Sequence, residues 1–267
     1  MSFQRSLLVC CDLRSYGSAD DVLQRELQEL LVRTLDRAGT AAGLDRTTWR
    51  RQAKGDEEWA VLPATTQETD VVDRYVRALD AELAVTNRYR VPEARLRLRM
   101  AIHFGATVEG ANGYPGQDAV LVSRLLDSQA AHAALEQSPA DLVVVLSDTL
   151  FTSLVAARHT TLRPEDFRRV DVRVKAFQGQ AWMWLPSGDV HSLDLGEGAA
   201  APLSPVVDRS TTVNQNAVAS GASTVIQAGR DAHVPTQKAD MIQYFDRNDQ
   251  RGSHFGPVYR RDTDERS

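Results

Sequence analysis

Cysteine is nearly absent from this chain of 267 residues: there are two, Cys10 and Cys11, side by side in an apolar run. That excludes a disulfide framework and points to two reduced core thiols, so a cytoplasmic setting is expected. Nor does any Cys or His stand at zinc-ligand spacing around His103. Long apolar runs are missing too, none approaching the ~18 residues that suggest a membrane span. The first residues enter a strand-like run at once, without the pattern of a signal peptide. Basic charge is in deficit, with 31 Lys and Arg against 36 Asp and Glu, a net charge of -5. Such a balance argues against nonspecific binding to nucleic acid or to an anionic membrane. What remains is ordinary for a soluble globule: 42% hydrophobic and 25% charged residues, enough for a proper core.

Two acidic positions stand out. Lys54-Gly55-Asp56-Glu57-Glu58 separates the strand-like runs 47–53 and 59–62, so it reads as a hairpin turn. Glycine beside an acid supplies the backbone freedom of the turn and leaves the Asp56 carboxylate exposed. Asp12 closes the apolar run 7–11. If the first strand lies beside the hairpin, Asp12 and Asp56 meet at one sheet end, where two hard oxygen ligands suit Mg²⁺ or Mn²⁺. Taken alone, Asp56 reads first as a solvated turn acid.

In chain order, residues 6–12 read as a buried strand. Ser18 is placed as the N-cap of a helix carrying Leu23, Leu27, Leu30, Leu31 and Leu35 and ending near Gly39. A second amphipathic helix is predicted over 66–89. A strand follows over 95–104, where Leu96, Leu98, Met100, Ile102 and Phe104 alternate with the solvated Arg95, Arg97 and Arg99, and 107–109 continue the sheet. The turn 112–116 leads to a helix with Val120, Ser123, Arg124 and Leu125. A strand over 142–146, a helix over 148–157 and strands over 167–175 and 181–185 complete an α/β (α+β) domain, helices packed on a sheet, over 1–187. A linker over 188–210, Gly/Ala/Pro-rich at 196–205, precedes a β-prone piece over 211–234 and a polar, disordered tail over 235–267. The β-prone piece is either plain linker or a segment that stacks in register with another chain.

Three regions in this order resemble the class III nucleotidyl cyclase homology domain: 11–16, the hairpin 52–56, and Ile102-His103-Phe104-Gly105 followed by 116–124. The resemblance covers roughly residues 5–186 and is closest to actinobacterial cyclase-like domains with a short β-prone tail. Relatives of that kind include antiphage cyclases making cyclic UMP or cyclic CMP. It implies a homodimer, a nucleoside triphosphate substrate, two Mn²⁺ or Mg²⁺ ions and a downstream effector answering to the cyclic product. By resemblance Asp12 and Asp56 are the metal ligands, with the Leu13 carbonyl a third. Arg124 falls at the position that meets the phosphate charge of the transition state, acting across the dimer interface. Gln52, Arg50 and Lys54 are the substrate contacts.

The departures from the family pattern bear on the base and on turnover. Val120 stands four before Arg124, where many active relatives carry an Asn. Gln52 replaces the Lys of adenylate and the Glu of guanylate cyclases, and the partner acid near Asn112 and Gly113 is not present. Loss of both purine determinants favours a pyrimidine, UTP ahead of CTP, although the Gln52 amide, donor and acceptor at once, does not itself separate them. The alternative reading is a catalytically inactive nucleotide sensor signalling through the tail. Arg124, taken alone, is equally an ion-pair partner for Asp127 or Asp118.

Overall fold

Strict alternation in β1 (Phe3–Leu13) sends Leu7, Val9, Cys11 and Leu13 to one face and Leu8 and Cys10 to the other, and all six are buried. A strand apolar on both faces belongs at the centre of a sheet covered on both sides. The computed structural model, which describes residues 3–14, 16–111, 113–175 and 177–195, has that architecture. The linker, β-prone piece and tail expected beyond residue 195 lie outside the described residues, as does Asn112.

The further strands are β2 (Arg50–Lys54), β3 (Glu57–Val61), β4 (Leu98–Val108), β5 (Leu142–Ser147), β6 (Arg168–Val174) and β7 (Phe177–Trp184). They form one mixed sheet in the order β2-β3-β1-β4-β5-β7-β6, antiparallel except for the β4–β5 pair. On one face lie α1 (Asp21–Ala41), α2 (Val76–Asn87) and a helical stretch, Asp148–Leu150, that widens into the π-turn Phe151–Ala156. α3 (Gln117–Leu126) and α4 (Gln129–Gln137) cover the other face. Within α1, Leu27, Leu31 and Leu35 recur every four residues and are buried, each contributing about 1.5–3 kcal/mol. The expected α+β domain of helices on a sheet is the one observed. Among the described residues no helix is long and apolar enough to cross a membrane.

Several local expectations are corrected. Asp20, not Ser18, caps α1, because its carboxylate accepts the Leu23 N–H at 2.8 Å after a short 3₁₀ turn over Tyr16–Ser18. The helix also runs past Gly39 to Ala41, and Gly43 at φ 75° makes the turn. Residues 46–48 form a 3₁₀ turn instead of strand, and the hairpin turn is only Gly55 and Asp56, so β3 begins at Glu57. The predicted helix over 66–89 is a π-turn, Asp70–Tyr75, leading into α2. α4 was not expected at all. Its buried face is mostly Ala130, Ala131 and Ala134, too small to stand out as an apolar stripe, and Ser128 caps it.

The largest correction concerns β4. Arg97 and Arg99 do not lie on a wet face, because β4 is a central strand with helices over both sides. Arg97 donates to the Ser138 and Ala140 carbonyls, Arg95 pairs with Asp141, and Arg99 is buried against Asp12. Charged groups so placed need partners, and each has one.

A second buried network ties the hairpin to the helical layer. Arg46 donates from Nε to Asp36 at 2.8 Å, from Nη1 to the Tyr75 hydroxyl at 3.1 Å and from Nη2 to Glu58 at 2.7 Å. Removing it leaves Glu58 buried with one distant partner, Arg51 at 3.8 Å. Arg46→Met should therefore destabilise the protein by about 3–5 kcal/mol in urea unfolding, and Arg46→Met with Glu58→Leu should recover much of that. A loss below about 1 kcal/mol for the single variant would show that the network is not holding the hairpin.

Candidate active site

The site begins where the β2–β3 hairpin tip folds against the end of β1. Gly55 takes φ 64°, which glycine adopts readily, and Asp56 completes the two-residue turn. The Leu13 N–H donates to the Asp56 carbonyl at 3.2 Å, and Asp12 sits opposite Glu57 of β3 and Arg99 of β4 in register. Asp12, Leu13 and Asp56 are thus brought together at one end of the sheet. Burial raises the Asp12 carboxyl to about 6; Arg99 pulls the other way, while Asp56 and Glu57 push it higher. Two hard-oxygen acids that repel each other suit a divalent cation, which would relieve the repulsion. Among the described residues no group of three or more His, Cys, Asp and Glu could hold a metal, so further ligands would be backbone or substrate oxygens.

Asp12 already has a partner, and sequence reasoning missed it. Arg99 donates from Nε to Asp12 Oδ1 at 2.8 Å and from Nη2 to Oδ2 in a short bond, a two-pronged pairing. Its Nη1 contacts His132 Nε2 on α4, and His132 in turn lies 3.6 Å from Asp127. Burial, followed by the Arg99 charge, holds the His132 imidazole below its usual range. The signal for Arg99 was available: a basic residue in the middle of a strand whose neighbours on both sides are apolar. Read as a half-wet strand, the pattern hid it.

On the same face, β2 points Arg50, Gln52 and Lys54 toward α3, since they register with Val61, Trp59 and Glu57. Gln52 and Lys54 line an open groove of about 400 Å³ with Glu57, Trp59, Tyr114, Val120 and Arg124. The Gln52 amide fits against Gly113, where a Cβ would stand 2.6 Å from Nε2, and Gly113 has φ 95°. That positive φ is what calls for glycine at this position. Arg124 makes no ion pair among the described residues. The two acids considered for it are used elsewhere: Asp118 lies 3.2 Å from His103 and accepts the Ala106 N–H, and Asp127 faces His132.

Arg50 is set apart from this group. It pairs with Glu109 at 2.8 Å and reaches the Tyr114 hydroxyl at 3.5 Å, lining a neighbouring cavity of about 590 Å³. Asp12 and Asp56 do not line the Gln52 groove. One chain therefore carries an acidic sheet end and, adjoining it through Glu57, a groove holding Lys54 and Arg124, the latter without an ion pair among the described residues.

No protein-family model matches the chain, and no curated protein does. Solved structures do. An adenylate/guanylate cyclase/hydrolase from Silicibacter pomeroyi superposes with a TM-score of 0.50 at 18% identity, covering 70% of this chain and 100% of that one. The guanylyl cyclase Cya2 gives 0.46 at 14% identity, covering 73% and 98%, and the adenylyl cyclase CyaB from P. aeruginosa gives 0.45 at 17%, covering 68% and 95%. The first likeness establishes the fold, that of class III nucleotidyl cyclase domains.

The groove chemistry is testable with an anion alone. Inorganic tripolyphosphate should bind the full chain at low salt, and Arg124→Ala should weaken it by about tenfold to a hundredfold in calorimetry. Unchanged affinity in Arg124→Ala would remove Arg124 from the groove's anion-binding role.

Proposed function

We propose that the chain is a metal-dependent nucleotidyl cyclase that converts a pyrimidine nucleoside triphosphate, UTP ahead of CTP, to its 3′,5′-cyclic monophosphate and diphosphate. The observation that carries this reading is one chain that sets an acidic sheet end, Asp12 with Asp56, beside a groove holding Gln52, Lys54 and Arg124. Two copies related by a two-fold axis would let the acids of each meet Arg124 of the other, twice. A homodimer is therefore part of the proposal.

Asp12 and Asp56, with the Leu13 carbonyl, would hold two Mn²⁺ or Mg²⁺ ions, which when bound lower the pKa of a ribose hydroxyl and offset triphosphate charge. The remaining work falls to the chain's own groups. Gln52 presents its amide to the base edge, which Trp59 and Tyr114 help to wall in. Lys54 draws the outer phosphates. Arg124 faces the α-phosphate and stabilises the charge that grows on its oxygens as the bond from the 3′ oxygen forms and the bond to diphosphate breaks. Arg50, engaged by Glu109, would reach the nucleotide only after leaving that pair. A role in antiphage defence, with an effector that answers to the cyclic product, extends the same reading.

A specific observation favours a second reading. Val120 is 45% exposed on the groove wall, an aliphatic surface where active relatives place a ribose-binding amide. On that basis the chain would bind nucleotide without turnover and act as a sensor. Incubation of the full chain with each of the four triphosphates and Mn²⁺ separates the two. The cyclase reading expects a cyclic pyrimidine product, lost by about a hundredfold or more in Asp56→Ala and in Arg124→Ala. Mixing these two variants should restore about a quarter of wild-type turnover, since half the dimers would then carry one intact site. Binding without any cyclic product would establish the sensor instead.

A further inference from the structure

Four adjacent strands place a row of charges side by side on one face of the sheet: Lys54 on β2, Glu57 on β3, Asp12 on β1 and Arg99 on β4, each in register with the next. The two acids lie inside, flanked by two cations. Glu57 also accepts the Cys10 thiol at 3.2 Å, which fixes it beside Asp12. At the inner end, Arg99 occupies both Asp12 oxygens with two parallel N–H donors, and both side chains are nearly closed to solvent, at 10% and 15% exposure. His132 receives the third arm of the guanidinium from α4. Arg99 is thus anchored at three points and lies across the carboxylate that the proposed function gives to a divalent cation.

A carboxylate oxygen engaged by a guanidinium N–H has less to offer a metal, and a fixed positive charge a few ångströms away repels a dication. In the structure Asp12 is not a bare buried carboxylate but one half of an internal ion pair. We propose that Arg99 is a built-in competitor for the divalent cation at Asp12, so that loading requires the guanidinium to yield and the Arg99–His132 contact sets the concentration at which this happens. The inference rests on the metal role of Asp12 in the proposed function and adds to it a residue that no part of that function needs. Nothing else within the row can substitute for Arg99, because Lys54 faces Glu57 on the far side.

Mn²⁺ binding to the full chain without nucleotide, followed by calorimetry and by electron paramagnetic resonance of free Mn²⁺, tests this. Arg99→Met should tighten Mn²⁺ binding by about tenfold to a hundredfold. His132→Ala changes a half-exposed side chain and loosens only the third anchor, so it should fold and should tighten binding by a smaller factor. It keeps the test alive if the buried Arg99 variant fails to fold. Affinity no tighter than wild type in His132→Ala, and in Arg99→Met if it folds, overturns the competitor role. The two layers fail differently. If Asp12→Asn abolishes Mn²⁺ binding while the Arg99 and His132 variants leave it unchanged, only the competitor is lost. If His132→Ala with Asp12→Asn binds Mn²⁺ as well as His132→Ala alone, the metal role of Asp12 fails, and the competitor falls with it.

Discussion

The structure depends on β1 pairing with two strands at once. Along its length β1 is antiparallel to β4 from Phe3 to Leu13 and to β3 from Leu8 to Asp12. Each register is locked by packing, because a one-residue slip would exchange Leu7, Val9 and Cys11 with Leu8 and Cys10 and break the close fit on both faces. That lock delivers Asp12 to a fixed place beside the hairpin tip, where the Leu13 N–H meets the Asp56 carbonyl. Residues 44 apart in sequence are joined there by a few kcal/mol of apolar packing far from the acids themselves. The site is precise because its scaffold is apolar.

Several buried charges in this domain are paired in sets, and the sets have different tasks. Arg46, Asp36, Tyr75 and Glu58 bind the hairpin to α1 and the π-turn on one face. Arg95 and Arg97 fasten the start of β4 to the segment after α4. Arg99 lies on the other face, paired with the acid proposed to hold a metal ion. The two ion pairs are alike in their contacts. What separates them is the neighbour: Glu58 stands beside a tyrosine and an apolar layer, whereas Asp12 stands beside Asp56 and Glu57.

Two glycines lead into α3 with positive φ, Gly113 at 95° against Gln52 and Gly116 at 138°, conformations that glycine adopts readily. From α3, Arg124 lines the groove, and among the described residues it makes no ion pair.

From the amino-acid order alone came the apolar faces of β1 and α1, the hairpin with Asp56 near its tip, the alternation of helices and strands, and the resemblance that drew Asp12, Gln52 and Arg124 together. These are local patterns, repeating every two or three to four residues, and such periods survive in sequence whatever the rest of the chain does. Hidden from it were α4, whose alanines make a shallow stripe, the cap at Asp20, and the placement of Arg50 beside Glu109 instead of in the groove. Hidden above all was Arg99. Whether a strand has one wet face or none depends on which helices cover it, and only the assembled sheet decides that: β4 lies at the centre, both its faces are closed, and a charge placed there must find an opposite charge.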